Sequence, residues 1–402
     1  MSYRSGRHFL QIPGPTNIPE RVLRAMAAPT IDHRGPDFSR LALELFDGLK
    51  EIFKTTQGRI VIYPSSGTGA WEAALVNTLS PGDSVLMFET GQFATLWSEL
   101  AQRMGLNVRF VEGDWRRGAD PAEVERILTD DSKHTIKAVA VVHNETSTGI
   151  TSRVAQIRKA IDRAGHPALY LVDVISSLAS IDYRHDEWGV DVTIGGSQKG
   201  LMLPPGVSFH AVSAKAMAAS KSARLPRAYW DWQPMFSQNE KGLFPFTPAT
   251  NLLYGLRESL DMIREEGLEN IFTRQNRHAE ATRRAVRAWG LDLLCTNAAE
   301  YSSIVTAILV PVGHSADAFR KIVLESFNMS LGNGLGKVQD KVFRIGHLGD
   351  FSDLMLAGTL CGVEMGLELA GVPHSKGGVA AAMDYLTLVA QEVAETNVVA
   401  AR

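Results

Sequence analysis

Between Arg59 and Val212, short apolar runs alternate with stretches in which apolar residues recur every three or four positions. The runs Arg59–Tyr63, Ser84–Glu89, Val108–Glu112, Ala138–Val142, Ala168–Val172, Val192–Gly195 and Val207–Val212 read as strands. The intervening Ala70–Leu79, Phe93–Met104, Pro121–Leu128 and Val154–Ala164 read as helices. These strands are apolar throughout rather than alternating, so both faces of their sheet are expected to be covered. Helical crossovers join parallel neighbours, which predicts an α/β unit on a mostly parallel sheet. In such sheets ligands gather at the carboxyl ends of the strands.

Beyond Pro248 the pattern changes. Leu253, Leu256, Leu260 and Ile263 recur at helical spacing, and Gly267 interrupts the run. Helix Arg274–Trp289, strand Thr306–Val310, helix Ser315–Ser326, strand Val342–Ile345 and helix Phe351–Leu369 follow, as in a smaller α+β unit. Pro13, Pro15 and Pro19 make an extended arm of the first residues. The expected division is an arm over 1–19, a large domain over 20–265, a small C-terminal domain over 266–385 and a weakly patterned tail over 386–402.

Composition narrows the function classes. Lys plus Arg is 41 against 44 Asp plus Glu, a net charge of −3, which gives no pull toward nucleic acid or an anionic membrane surface. No apolar run reaches the roughly 18–20 residues that span a bilayer. The two cysteines, Cys295 and Cys361, both sit in apolar stretches. Two are too few for a disulfide framework or a cysteine metal site, and they suit a reduced, cytoplasmic compartment. No metal is expected.

Five segments have chemistry to offer, each with an ordinary structural alternative. Ser65-Ser66-Gly67-Thr68-Gly69 follows a strand and opens a helix, where unpaired N–H groups favour an anion such as phosphate. A tight turn with a capping hydroxyl is the alternative. Asp173 ends an apolar strand, where a carboxylate needs a partner; a protonated ring nitrogen would serve, and so would a turn. Lys199, in Gly195-Gly196-Ser197-Gln198-Lys199-Gly200, is either a surface turn lysine or a desolvated, reactive amine at the same sheet end. His143-Asn144-Glu145-Thr146-Ser147-Thr148-Gly149 offers polar groups at a third strand end. Arg344, flanked by Phe343 and Ile345, either pairs with a protein acid or awaits an anionic ligand. The glycine-rich Gly332-Asn333-Gly334-Leu335-Gly336-Lys337 precedes a strand rather than a helix, so it lacks the context of a nucleotide loop.

The order of these segments resembles the class V aminotransferases, enzymes of pyridoxal-phosphate fold type I, and among them the branch that uses glyoxylate with alanine, serine or aspartate. The resemblance covers nearly the whole chain, from Pro13-Gly14-Pro15-Thr16-Asn17 to Arg344-Ile345-Gly346. It implies pyridoxal 5′-phosphate as cofactor, carried on Lys199 with Asp173 at the ring nitrogen, these two being the catalytic residues. It further implies Ser66, Gly67, Thr68 and Gln198 at the phosphate, Phe93 and Ile175 on the two ring faces, and Thr146 at the phenolic oxygen. Phe244 and Thr247 would reach the phosphate of a neighbouring subunit in a homodimer, and Arg344 would bind the substrate carboxylate. The implied reaction moves the amino group of serine, or secondarily aspartate or alanine, to glyoxylate. A cysteine desulfurase and a non-catalytic binding protein are the competing expectations on the same fold.

Overall fold

The computed structural model describes residues 5–400, with side chains described through residue 392. Residues 1–4 of the expected arm and 401–402 of the expected tail lie outside the described residues. A seven-stranded sheet runs in the spatial order Arg59–Tyr63, Ser208–Val212, Val192–Gly196, Leu169–Asp173, Ile136–Val142, Ser84–Phe88, Asn107–Val111. Ser208–Val212 is antiparallel to both its neighbours, and the other pairings are parallel. The continuous apolar runs are explained by burial on both faces. Ile60, Ile62, Val139, Val141, Tyr170 and Val172 belong to one core. Val61, Tyr63, Ala138, Ala140, Leu169 and Leu171 belong to the other.

One of those cores is covered in part by the helix Pro36–Phe53, whose Phe38, Leu41, Leu45, Leu49 and Ile52 are buried at helical spacing. The other is covered by the helices Gly67–Thr78 and Gln92–Arg103. The helices Thr250–Glu266 and Leu268–Ala288 meet at Gly267, whose φ of +82° suits glycine.

The C-terminal sheet has five strands, in the order Phe9–Gln11, Met329–Asn333, Val342–Gly346, Val305–Leu309, Asp292–Leu293. Its own core includes Trp289, Ile308, Phe319, Phe343, Ile345 and Leu360. The first strand comes from the proline-rich arm. Phe9, Leu10 and Gln11 pair in parallel with Met329, Ser330 and Leu331. Part of the arm is therefore an edge of this distant sheet. The helix Gly378–Ala400 runs through the stretch that shows little pattern in sequence. Among the described residues no helix is long and apolar enough to cross a membrane, and no cluster of His, Cys, Asp or Glu is placed to hold a metal.

Candidate active site

The carboxyl ends of the parallel strands open on a cavity of about 230 Å³. Nine of the predicted site residues line it: Ser66, Gly67, Thr68, Phe93, Thr146, Asp173, Ile175, Gln198 and Lys199. They come from segments spread over more than a hundred positions, and the parallel topology brings them to one end of the sheet. A larger cavity of about 560 Å³ lies near Gly200 and the 349–354 loop. Its arginines are already paired, Arg274 with Glu266 and Arg277 with Asp353, so it offers no free cation for a substrate.

Lys199 is 8% exposed. Its Nζ donates to the carbonyl of Pro13, and Thr16 Oγ1 donates to its own carbonyl at 3.1 Å. The arm therefore lies directly on the lysine. A Cβ on Gly14 would come within 2.3 Å of Lys199 Cδ, and its φ of +115° also requires glycine. Burial, with the Arg344 charge adding to it, pushes the Lys199 ammonium down from its ordinary 10.5 to about 7. Burial pushes the Asp173 carboxyl up to about 7, against the pull of N–H donors from Ile175 and Trp71.

The helix Gly67–Thr78 begins after Ser66, whose side chain makes no capping bond. Gly67 has no room for a side chain, since a Cβ there would meet Ile175 Cδ1 at 2.2 Å. Gln198 Oε1 is buried without a partner. A second helix, Gln92–Arg103, presents Phe93 to the cavity and is held by a buried acid. Glu145 accepts from the N–H groups of Phe93 and Ala94 at 3.3 and 3.1 Å, and from the Ser147 hydroxyl at 2.6 Å. Burial raises the Glu145 carboxyl above its ordinary value.

Arg344 is buried, and its N–H groups donate to two backbone carbonyls, Asn333 and Thr146, both at 2.8 Å. Among the described residues no carboxylate forms an ion pair with it. Burial lowers its guanidinium to about 10, so it stays charged at neutral pH. The glycine-rich loop borders this region. A Cβ on Gly336 would meet Gln92 Oε1 at 2.2 Å, and Lys337 pairs with Glu89 at 2.5 Å.

Three predicted residues lie outside the cavity lining: Arg344, which reaches it through the Thr146 carbonyl, Phe244 and Thr247. Phe244 packs on Phe38 and Phe46, with ring centroids 5.9 Å away in both cases, and Thr247 is exposed. Neither cysteine lines the cavity; burial pushes the Cys295 thiol up to about 11. Sequence reasoning missed Trp71 and Ser176 as cavity residues, while Asn144 lies in the polar segment it singled out at a strand end. Trp71 stands in an apolar helix and reads as packing; its place one turn after Gly67 was the only available signal.

The cavity fits pyridoxal phosphate on three counts: a buried amine whose pKa is drawn down to about 7, a buried carboxylate in the same lining, and a helix start and an orphaned amide oxygen that both line it. Comparison with known proteins agrees. The family model described as aminotransferase class-V matches residues 8–334. The chain is 51% identical to the serine–glyoxylate aminotransferase of Methylorubrum extorquens, over 95% of this chain and 97% of that protein. It is 47% identical to the L-aspartate–glyoxylate aminotransferase of Paracoccus denitrificans, over 93% and 95% respectively. The crystal structure of ureidoglycine–glyoxylate aminotransferase from Bacillus subtilis superposes with a TM-score of 0.89 at 28% identity, covering 96% of this chain and all of that one.

The chain belongs to the class V aminotransferases. It is a pyridoxal-phosphate-dependent transaminase of fold type I, as its sequence led us to expect.

Proposed function

We propose that this transaminase moves the amino group of L-serine to glyoxylate, giving hydroxypyruvate and glycine. The carrying observation is the polarity of the cavity. Apart from the groups that hold the cofactor, its lining offers the Asn144 amide and the Ser176 hydroxyl, with Lys199 the one cation among its lining residues. A donor hydroxyl has partners there, whereas the second carboxylate of aspartate has no second guanidinium. The relatives that use glyoxylate with serine or aspartate support the acceptor and leave these two donors to be compared.

In this reading the residues divide the work. Ser66, Gly67, Thr68 and Gln198 hold the cofactor phosphate, Phe93 and Ile175 flank the ring, and Thr146 sits at the phenolic oxygen. Bound there, pyridoxal phosphate supplies an electron sink for the carbanion at the substrate Cα. Asp173 holds a proton on the ring nitrogen, because an adjacent carboxylate favours the charged form. Arg344 turns its fork from the backbone carbonyls toward the substrate carboxylate and fixes the Cα. Lys199 Nζ, with a pKa near neutrality, accepts the Cα proton as general base. The 13–16 segment over the lysine excludes water from that transfer.

The same reading makes the enzyme a homodimer in which Phe244 and Thr247 reach the neighbouring subunit's phosphate. Their position outside their own cavity lining supports this. Separate cores for the two sheets, joined at Gly267, support domains over 20–265 and 266–385; the arm over 1–19 lends its Phe9–Gln11 strand to the smaller sheet, and the stretch from 386 continues the helix Gly378–Ala400. Two free cysteines support a cytoplasmic setting. A donor panel with glyoxylate tests the reaction: serine is expected to give the highest kcat/KM, and aspartate exceeding it would reverse the assignment. Light scattering tests the dimer, which a monomeric mass for active holoenzyme would exclude.

A further inference from the structure

Asp173 carries two donors besides any ring nitrogen. The Ile175 N–H donates to Oδ1 and the Trp71 indole N–H donates to Oδ2, each at 2.7 Å. Neither donor can accept a hydrogen bond in return. A neutral carboxyl group would therefore have to turn its own O–H away from one of them and lose that bond. With each oxygen already engaged by a donor, the remaining lone pairs can still take a ring N–H, and the acid does best as a carboxylate. Both bonds oppose the burial that drives the group toward neutrality.

Trp71 is well placed to set this arrangement. It is 3% exposed and lies four residues after Gly67, on the same face of the helix Gly67–Thr78. One helix thus carries the start expected to hold phosphate and, a turn later, a donor to the acid expected at the ring nitrogen. The indole is backed by Trp97, with ring centroids 5.8 Å apart and planes 14° apart. Trp97 comes from the helix that presents Phe93, and its own indole nitrogen has no partner. The two tryptophans share one packing environment, and only Trp71 touches Asp173.

We propose that Trp71 is a positioning residue for the reaction: its indole N–H keeps Asp173 ionised and aimed at the ring nitrogen of bound pyridoxal phosphate. This rests on the pairing of Asp173 with that nitrogen given above. Trp71 lines the cavity and Trp97 does not, so packing is separated from the hydrogen bond by the Asp173→Asn background, in which only an effect carried through the acid disappears.

The test uses the full-length enzyme as wild type, Trp71→Phe and Trp97→Phe, each also in an Asp173→Asn background. Two readouts are taken: the dissociation constant for pyridoxal phosphate titrated into apoprotein, and the pH midpoint of the bound cofactor's visible absorption. Trp71→Phe is expected to weaken cofactor binding about tenfold, the loss of one hydrogen bond to a charged group. It should raise the pH midpoint by about one unit, since a less fully charged ring repels the neighbouring nitrogen's proton less. Its kcat falls while KM for the donor changes little. Trp97→Phe should move neither readout, and Trp71→Phe should add nothing in the Asp173→Asn background.

Equal effects from Trp97→Phe and Trp71→Phe would overturn the proposal, as would an undiminished Trp71→Phe effect in the Asp173→Asn background. If Asp173→Asn matches wild type in both readouts, the ring-nitrogen pairing itself falls and the proposal with it. If Asp173→Asn differs from wild type and Trp71→Phe is silent, only the proposal falls. Should Trp71→Phe not fold, isotope-labelled tryptophan in wild type and Asp173→Asn gives the same decision: one indole N–H resonance is expected to shift between them, and no shift would overturn the assignment.

Discussion

The two sheets each bring a buried charge to the cavity region, and they treat it differently. At the carboxyl ends of the seven-stranded sheet, burial draws the Lys199 amine down to about 7 and the Asp173 acid up to about 7. Both sit where a proton can be given or taken near neutral pH. In the five-stranded sheet, Arg344 is buried to a similar degree and comes down only to about 10. It keeps its charge, held by the carbonyls of Asn333 and Thr146 without a carboxylate. In the proposed mechanism the titratable groups are those that move or hold protons, and the permanent cation is the one that grips the substrate's carboxylate. Lysine and arginine are not interchangeable between the two places, because only one of them loses its charge under desolvation at accessible pH.

That contrast breaks most decisively at Lys199. Lys199→Ala is expected to lower transamination about 10⁴-fold or more while the apoprotein keeps its fold, measured by donor turnover and circular dichroism. Asp173→Asn should come next, with kcat down about 10²-fold and a much smaller change in KM. Arg344→Lys should fall on the other side of the comparison. A point charge cannot reproduce the fork, so KM for the amino donor should rise about tenfold with kcat less affected. Full retention of donor affinity in that variant would make Arg344 a structural residue.

A smaller effect sharpens the electrostatic half of the comparison. Between about pH 7 and 10.5 the unfolded chain holds the Lys199 proton that the folded apoprotein has released. The penalty of burying this ammonium therefore fades as pH rises through that window. The Lys199→Ala apoprotein should melt above wild type near neutral pH, and the gap should close toward the alkaline end, read by scanning calorimetry. The smallest effect is expected at the contact between the two regions. Lys337 is 55% exposed where it meets Glu89, so the pair is screened, and Lys337→Ala should raise donor KM only about twofold.

Much of this site was legible in sequence because the signals sit at strand ends. Asp173 and Lys199 stand out as polar residues closing apolar runs, and the parallel topology that those runs predict brings such ends together. The hydrogen-bonding groups around them were less legible. Trp71 looks like any core aromatic until the turn of its helix places it under Asp173. Glu145 reads as part of a polar turn, yet its carboxylate spans from Ser147 to the start of the helix bearing Phe93. Both depend on contacts across elements, which periodicity along one element does not carry. The helix Pro36–Phe53 is a different case: its Phe38, Leu41, Leu45 and Leu49 are regularly spaced and Pro36 opens it, so its signal is local and legible in the sequence. The arm's pairing with Met329–Leu331 joins residues over 300 positions apart and has no local signature.

That pairing ties the order of synthesis to the completion of the site. The strand Phe9–Gln11 has to wait for Met329–Leu331, made about 300 residues later, before it has a neighbour, and Pro13 to Thr16, which cover Lys199, follow directly from that strand. A growing chain that has already formed its larger sheet still lacks both its cover and Arg344. The cover over Lys199 and Arg344 therefore arrive together, only once Phe9–Gln11 and Met329–Leu331 have met.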